Sequence, residues 1–190
     1  MTRKYELKKR AERQAETRQR IVEAAVALHS TLGPAQTSFS AIAKKAGVQR
    51  HTLYAHFPDE PSLFRACSSH WLAVHPMPDP SRWASSADPR LRLRRALEDL
   101  YGWYDGVGDQ LELFQRDALI SPNVAAVQDA WADELRQTAD ALAAPLGRRR
   151  AVRAAVGHAL AFETWRSLVR HEGLTSREAV RAMLSFVESV

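Results

Sequence analysis

Apolar residues recur along this chain at helical spacing almost throughout, and no stretch alternates apolar and polar positions as a half-buried strand does. Ile21, Ala24, Ala25 and Leu28 fall on one helical face, which predicts a first helix over about 18–31. Gly33-Pro34 stops it. A short second helix starts near Ser38, a good N-cap, buries Phe39, Ile42, Ala43 and Ala46, and ends at Gly47. A third, over about 50–56, buries Leu53 and Phe57, and a fourth runs through Leu63, Phe64 and Trp71 behind Pro58 and Pro61. Four prolines in 75–89 interrupt the pattern. Beyond them further helices are predicted over about 89–104, 109–119, 123–143, 148–171 and 175–189. The expected fold is all-α, with about nine helices in two parts. Its organisation is a basic arm (1–17), a helical unit (18–74), a proline-rich linker (75–88) and a second helical domain (89–190). The arm reads either as disordered or as an extension of the first helix.

Charge sharpens this division. The net +5 of the 190 residues is unevenly placed. Residues 1–56 hold eleven Lys/Arg and four Asp/Glu, a net +7, whereas the other 134 hold sixteen against eighteen, a net −2. A basic segment joined to a neutral-to-acidic domain suits a polyanion-binding part attached to a part with another task. No apolar run is long enough to span a membrane, and the first twenty residues are charged throughout, unlike a secretory signal. The single cysteine, Cys67, excludes an internal disulfide and fits a reducing, cytoplasmic setting.

Two short helices joined by a three-residue turn that begins with glycine follow the helix-turn-helix plan. Packing of Ile42, Ala43, Val48 and Leu53 on the first helix leaves the other side of the third helix free to enter a major groove. Arg50 is the candidate for a bidentate contact to guanine, with His51 and Thr52 beside it for base edges or a thymine methyl. Tyr54 and His56 lie on the flank, either donating to phosphate oxygens or, for Tyr54, packing as a half-buried aromatic. Ser38 and Ser40, at the amino end of the second helix, are candidates for a phosphate contact.

The segments Thr37-Ser38-Phe39-Ser40-Ala41-Ile42-Ala43, Ala46-Gly47-Val48, Thr52-Leu53-Tyr54-Ala55-His56-Phe57 and Leu63-Phe64 carry a specific joint spacing. They resemble the tetracycline-repressor-like (TetR) family of transcriptional regulators over about residues 18–66. The resemblance implies a homodimeric repressor bound to a double-stranded, palindromic DNA operator. It also implies a C-terminal domain that holds a small-molecule effector and pairs through its last two helices. No other cofactor, no metal and no membrane partner are implied. Two positions depart from the family pattern: Gln49 stands where a capping serine is common, and Asp59-Glu60 where a phosphate-gripping lysine often follows the His-Phe pair. The basic arm (Arg3, Lys4, Lys8, Lys9, Arg10, Arg13) is the expected substitute.

In the second domain, the small residues Ala151, Ala154, Ala155 and Gly157, followed by Ala179, Ala182, Met183 and Phe186, suit close helix pairing in a dimer. Aromatic mass marks the candidate effector residues Trp103, Phe114, Trp131, His158 and Phe162, each of which also suits a plain core position. An enzyme is disfavoured, since the chain has no His-x-x-x-His pair, Gly-rich phosphate loop or Gly-x-Ser-x-Gly elbow. The alternative within the same class is a DNA-binding regulator without an effector.

Overall fold

The structure is a computed structural model that describes residues 3–147 and 149–190, the first two of them by backbone alone. Met1, Thr2, Arg148 and the side chains of Arg3 and Lys4, two of the predicted arm cations, lie outside the described residues. Those residues form ten α-helices and no strand, so the fold is all-α as expected. In order they are α1 (Arg3–Leu32), α2 (Phe39–Ala46), α3 (Arg50–His56), α4 (Glu60–Val74), α5 (Ser81–Ala84), α6 (Pro89–Ala118), α7 (Pro122–Ala143), α8 (Arg150–Leu160), α9 (Phe162–Trp165) and α10 (Ser176–Glu188). A 3-10 turn covers Pro34–Gln36 and a π-turn covers Arg166–His171. The chain divides into two compact units. One comprises the residues up to Pro76 with Gln110–Ala125, the other Met77–Asp109 with Ala126–Val190.

In the first unit, Ile21, Val22, Ala24 and Ala25 of α1 meet Ile42, Ala43 and Ala46 of α2, Leu53 and Phe57 at α3, and Leu63 and Cys67 of α4. Burying each large apolar side chain contributes about 1.5–3 kcal/mol, so the short α2 and α3 persist by packing and not by propensity. Burial pushes the Cys67 thiol up to about 12, so it stays protonated and packs as a small apolar group against the Val22 carbonyl. The turn after α1 is fastened by the end of α6. The fully buried Asp117 accepts from the Ala35 N–H at 2.8 Å and from Arg116 Nε at 2.8 Å, while Arg116 Nη2 donates to the Leu32 carbonyl at 2.6 Å. Gly33 has φ +92°, and a Cβ there would lie 2.3 Å from Asp117 Oδ2, so both conformation and space call for glycine.

The second unit packs the first part of α6 and the later part of α7 with α8, α9, the π-turn and α10. Three departures from the predicted elements stand out. α6 is one helix of 30 residues instead of two, because Gly102, Gly106 and Gly108 sit inside it without ending it. At Gly108 the lack of a side chain admits the ring of Trp165, whose Cη2 would be 2.5 Å from an added Cβ.

The predicted helix 148–171 is broken at Ala161, which is extended (φ −66°, ψ 140°). The break stands because side chains take the carbonyls it frees. Thr164 Oγ1 donates to His158 O at 2.6 Å, Tyr101 Oη to Ala159 O at 2.9 Å and Tyr104 Oη to Leu160 O at 2.9 Å. Burial raises both tyrosines above their ordinary titration range, so the hydroxyls remain donors. Finally, the arm is the helical extension of α1, and the proline-rich stretch contains α5, whose buried Trp83 donates to Asp99 Oδ2 at 2.8 Å.

Candidate nucleic-acid interface

The chain from Ser38 to Phe57 is shaped by local rules. Ser38 is extended and its hydroxyl accepts the Ala41 N–H at 3.1 Å, which caps α2. Gly47 is left-handed (φ 65°). Its N–H donates to Lys44 O at 3.2 Å and the next, of Val48, to Ala43 O at 3.0 Å, the paired bonds of a Schellman stop. Gln49 then begins α3 without a side-chain cap, as its residue type predicts.

Leu53 is fully buried and Phe57 nearly so, which seats α3 on the core. The Arg18 guanidinium lies over the Phe57 ring, 4.7 Å from its centroid. The opposite side carries the exposed Arg50, His51 and Tyr54, with Thr52 and His56 half-buried beside them. His51 Nε2 and Thr52 Oγ1 are 3.4 Å apart. Arg50 is preset by its own helix: Nη2 donates to Tyr54 Oη at 3.2 Å, and the guanidinium sits 5.5 Å from the Tyr54 ring centroid. That ring in turn rests on Phe39, centroid to centroid 5.2 Å.

The predicted DNA residues therefore share one surface in part. Ser38, Ser40, Arg50 and Tyr54 line a single groove with Phe39, Asp59 and Glu60, while His51 and Thr52 continue along α3. Ser38's hydroxyl already serves as the cap, so what it leaves for a phosphate is the N–H groups of the first turn. Tyr54 is exposed, yet its hydroxyl serves Arg50. The roles of Arg18 and Phe39 were not foreseen in the sequence; the Arg50/Tyr54 spacing of four was the available signal for one of these contacts.

Asp59, the odd residue against the family pattern, has a structural task. It caps α4, accepting the Ser62 N–H at 2.7 Å, and the backbone and then the side chain of Ser62 hold its carboxyl below the usual carboxylate range.

Of the aromatic candidates, three fall in one cluster of the second unit. Trp103 meets Trp131 edge-on at 6.1 Å and Tyr104 at 5.6 Å, and Tyr104 meets Phe162 at 5.3 Å. The Trp131 Nε1–H is buried without a hydrogen-bond partner. His158 is not in this group: it is exposed, its ring 6.0 Å from that of Phe186. Phe114 lies in the first unit, stacked on Phe64 at 6.1 Å. Among the described residues, no group of three or more His, Cys, Asp or Glu converges as a metal set, and no helix is long and apolar enough to cross a membrane.

The model of the bacterial regulatory proteins, tetR family, matches residues 21–67, the span from α1 to Cys67 that builds this surface. The HTH-type transcriptional regulator AcrR of Shigella flexneri is 49% identical over 49 residues, a stretch that is 26% of this chain and 23% of that protein. Along most of the chain the likeness is one of fold. A TetR-like transcriptional regulator from Rhodococcus sp. RHA1 superposes with a TM-score of 0.63 at 24% identity, over 90% of this chain and 93% of that one. The multidrug binding protein EbrR, in complex with imidazole, gives 0.59 at 22% identity, over 89% and 93%. These relatives are regulators and a binding protein, none of them an enzyme. Residues 21–67, with their capped α2, left-handed Gly47 and outward-facing α3, are thus the part of the chain that is similar in sequence to the bacterial regulatory proteins of the tetR family.

Proposed function

We propose that this protein is a homodimeric transcriptional repressor that inserts α3 into the major groove of a palindromic operator and is controlled by a small molecule held in its second unit. One observation carries the reading. α3 is anchored by Leu53 and Phe57, and it turns Arg50, His51 and Thr52 outward at its amino end, where a recognition helix meets base edges. Arg50 reads guanine, His51 and Thr52 the neighbouring bases, and Tyr54 holds Arg50 in place for that contact. Ser38, Ser40 and His56 face flanking phosphates.

The arm joins this surface as a helix. Its exposed Lys8, Lys9, Arg10 and Arg13 project on α1 ahead of the packed core, and Lys8 pairs loosely with Glu12 at 3.9 Å. A helix lies along phosphates more readily than it threads a minor groove, so the arm supplies the backbone grip that Asp59-Glu60 do not.

Dimerisation runs through α8 and α10. Ala151, Ala154, Ala182 and Phe186 are exposed on them, leaving small side chains and one large ring toward solvent, a surface suited to an isologous four-helix contact. The effector contacts Trp103, Trp131 and Phe162, and the unpaired Trp131 N–H is the donor that orients it. Ligand and operator are then linked through the geometry each prefers. A DNA target places the protein in the cytoplasm.

Selecting bound fragments from a random duplex library tests this reading. The expected product is a palindrome with half-sites about 34–36 Å apart or a multiple of one helical turn. Recovery of unrelated sequences with uniform affinity would overturn it.

A further inference from the structure

A half-open cavity of about 320 Å³ lies within the first unit and shares Phe39 and Glu60 with the DNA-facing groove. That volume is in the range of small-molecule sites and too small for a docked helix. Phe39 of α2 and Phe64 of α4 give it aromatic walls, and His29, at the end of α1, lines it. Glu60 is the one charged residue of the lining, and it is exposed. The nearby Arg116 and Asp117 neutralise each other, with Nη2 and Oδ1 2.7 Å apart. Burial, opposed by the attraction of Asp117, lowers His29 to about 4, so its imidazole is uncharged at neutral pH and offers a ring nitrogen as acceptor.

We propose that this cavity is a second ligand site, one that takes a small aromatic monoamine with its ring against Phe39 and Phe64 and its ammonium on Glu60. A competing preference comes from the first turn of α7, where Asn123 and Val124 line the cavity behind Pro122. A helix start presents about half a positive charge, and proline there contributes no N–H. The full charge of Glu60 outweighs it, so the amine is favoured over a carboxylate of the same shape.

The site is built to act on DNA reading without the second unit. Phe39 and Glu60 line both this cavity and the DNA-facing groove. Phe39 supports the Tyr54 ring, and Tyr54 holds Arg50. An amine that repositions Phe39 changes the support of the proposed base-reading arginine, and operator binding changes amine affinity by the same factor.

The test is photolabelling of the full chain with 4-azidobenzylamine, followed by peptide mapping. Saturable label is expected in peptides covering 29–42, 60–64 and 120–124, suppressed by benzylamine and not by benzoate. Glu60→Gln, on the surface of α4, is expected to weaken benzylamine about three- to fivefold, the size of one exposed charge pair. Asn123→Trp, which fills the cavity from α7, is expected to remove the label from these peptides. Label confined to 77–109 and 126–190, competition by benzoate equal to that by benzylamine, or an unchanged Glu60→Gln titration would each overturn the proposal. Label confined to the second unit would support an effector there, and reading of DNA by α3 is tested separately by operator selection.

Discussion

Glycine in the middle of a helix is ordinarily a weakness, and α6 contains three chances to repair it with opposite results. At Gly102 and Gly106 an added Cβ meets nothing within 4 Å. Alanine there gains helix propensity, worth up to about 1 kcal/mol. At Gly108 the same methyl would stand 2.5 Å from Cη2 and 2.9 Å from Cζ3 of Trp165. That ring has no exposed surface, and it stacks on Phe162 at 5.3 Å. Its Nε1–H is shared between Asp105 Oδ1 at 3.1 Å and Ser176 Oγ at 3.3 Å.

Overpacking of a filled core costs about 1–3 kcal/mol, and turning the indole away forfeits hydrogen bonding worth about 1 kcal/mol more. The clash therefore outweighs the propensity gain. Gly108→Ala is expected to destabilise by about 1–3 kcal/mol, a fall of roughly 2–12 °C in Tm for a chain of this size. Gly102→Ala and Gly106→Ala are expected to raise Tm by about 2–4 °C at most. Thermal denaturation of the three variants, followed by circular dichroism, decides the matter. Equal stabilisation by all three would refute the packing of Trp165 against α6.

His29 titrates near 4 when folded and near 6.5 when unfolded, so its contribution is complete above pH 6.5 and is lost as pH falls toward 4. The difference corresponds to about 3 kcal/mol, and His29→Gln should flatten the decline in urea midpoint between pH 7 and 4.5; parallel profiles would count against the buried neutral imidazole. Phe186→Glu, at a residue 40% exposed on α10, should weaken the proposed dimer at least about a hundredfold in sedimentation equilibrium, since two rings lose their burial. An unchanged association constant would move the interface elsewhere. Deleting residues 1–14 should reduce the slope of log affinity against log salt by about 2 or more while leaving base preference intact. An unaltered slope would remove the arm from the DNA.

The first unit was legible because its signals are local and its periodicity is strong. Ser38, Gly47 and the Leu53–Phe57 pair each act within a few residues, and each is found doing what its type predicts. What was illegible depends on partners distant in sequence. Nothing near Gly108 announces that Trp165 will fill its space, so three glycines read as an interruption of what is a single helix. The break at Ala161 likewise depends on Tyr101 and Tyr104, about sixty positions away, to satisfy the carbonyls it frees.

Phe114 looked like one more aromatic of the second domain, but Asp117 and Arg116 tie its stretch of α6 to the turn after α1. On the candidate DNA surface, the sequence indicated which side chains of α3 face outward. It did not indicate that the Tyr54 ring that holds Arg50 packs at a tilt against Phe39, because that needs the relative placement of α2 and α3.

The central claim is that α3 reads bases through Arg50, and replacing that side chain tests it most directly. Arg50→Ala removes an exposed guanidinium whose hydrogen bond and ring contact are to Tyr54 of its own helix, so the fold should survive. Measured on the selected operator and on duplexes varied one base pair at a time, the variant should lose about 1–3 kcal/mol of specific binding. Its preference should relax at one position in each half-site, while its binding to unrelated DNA changes little. Full retention of both affinity and base preference would contradict the account.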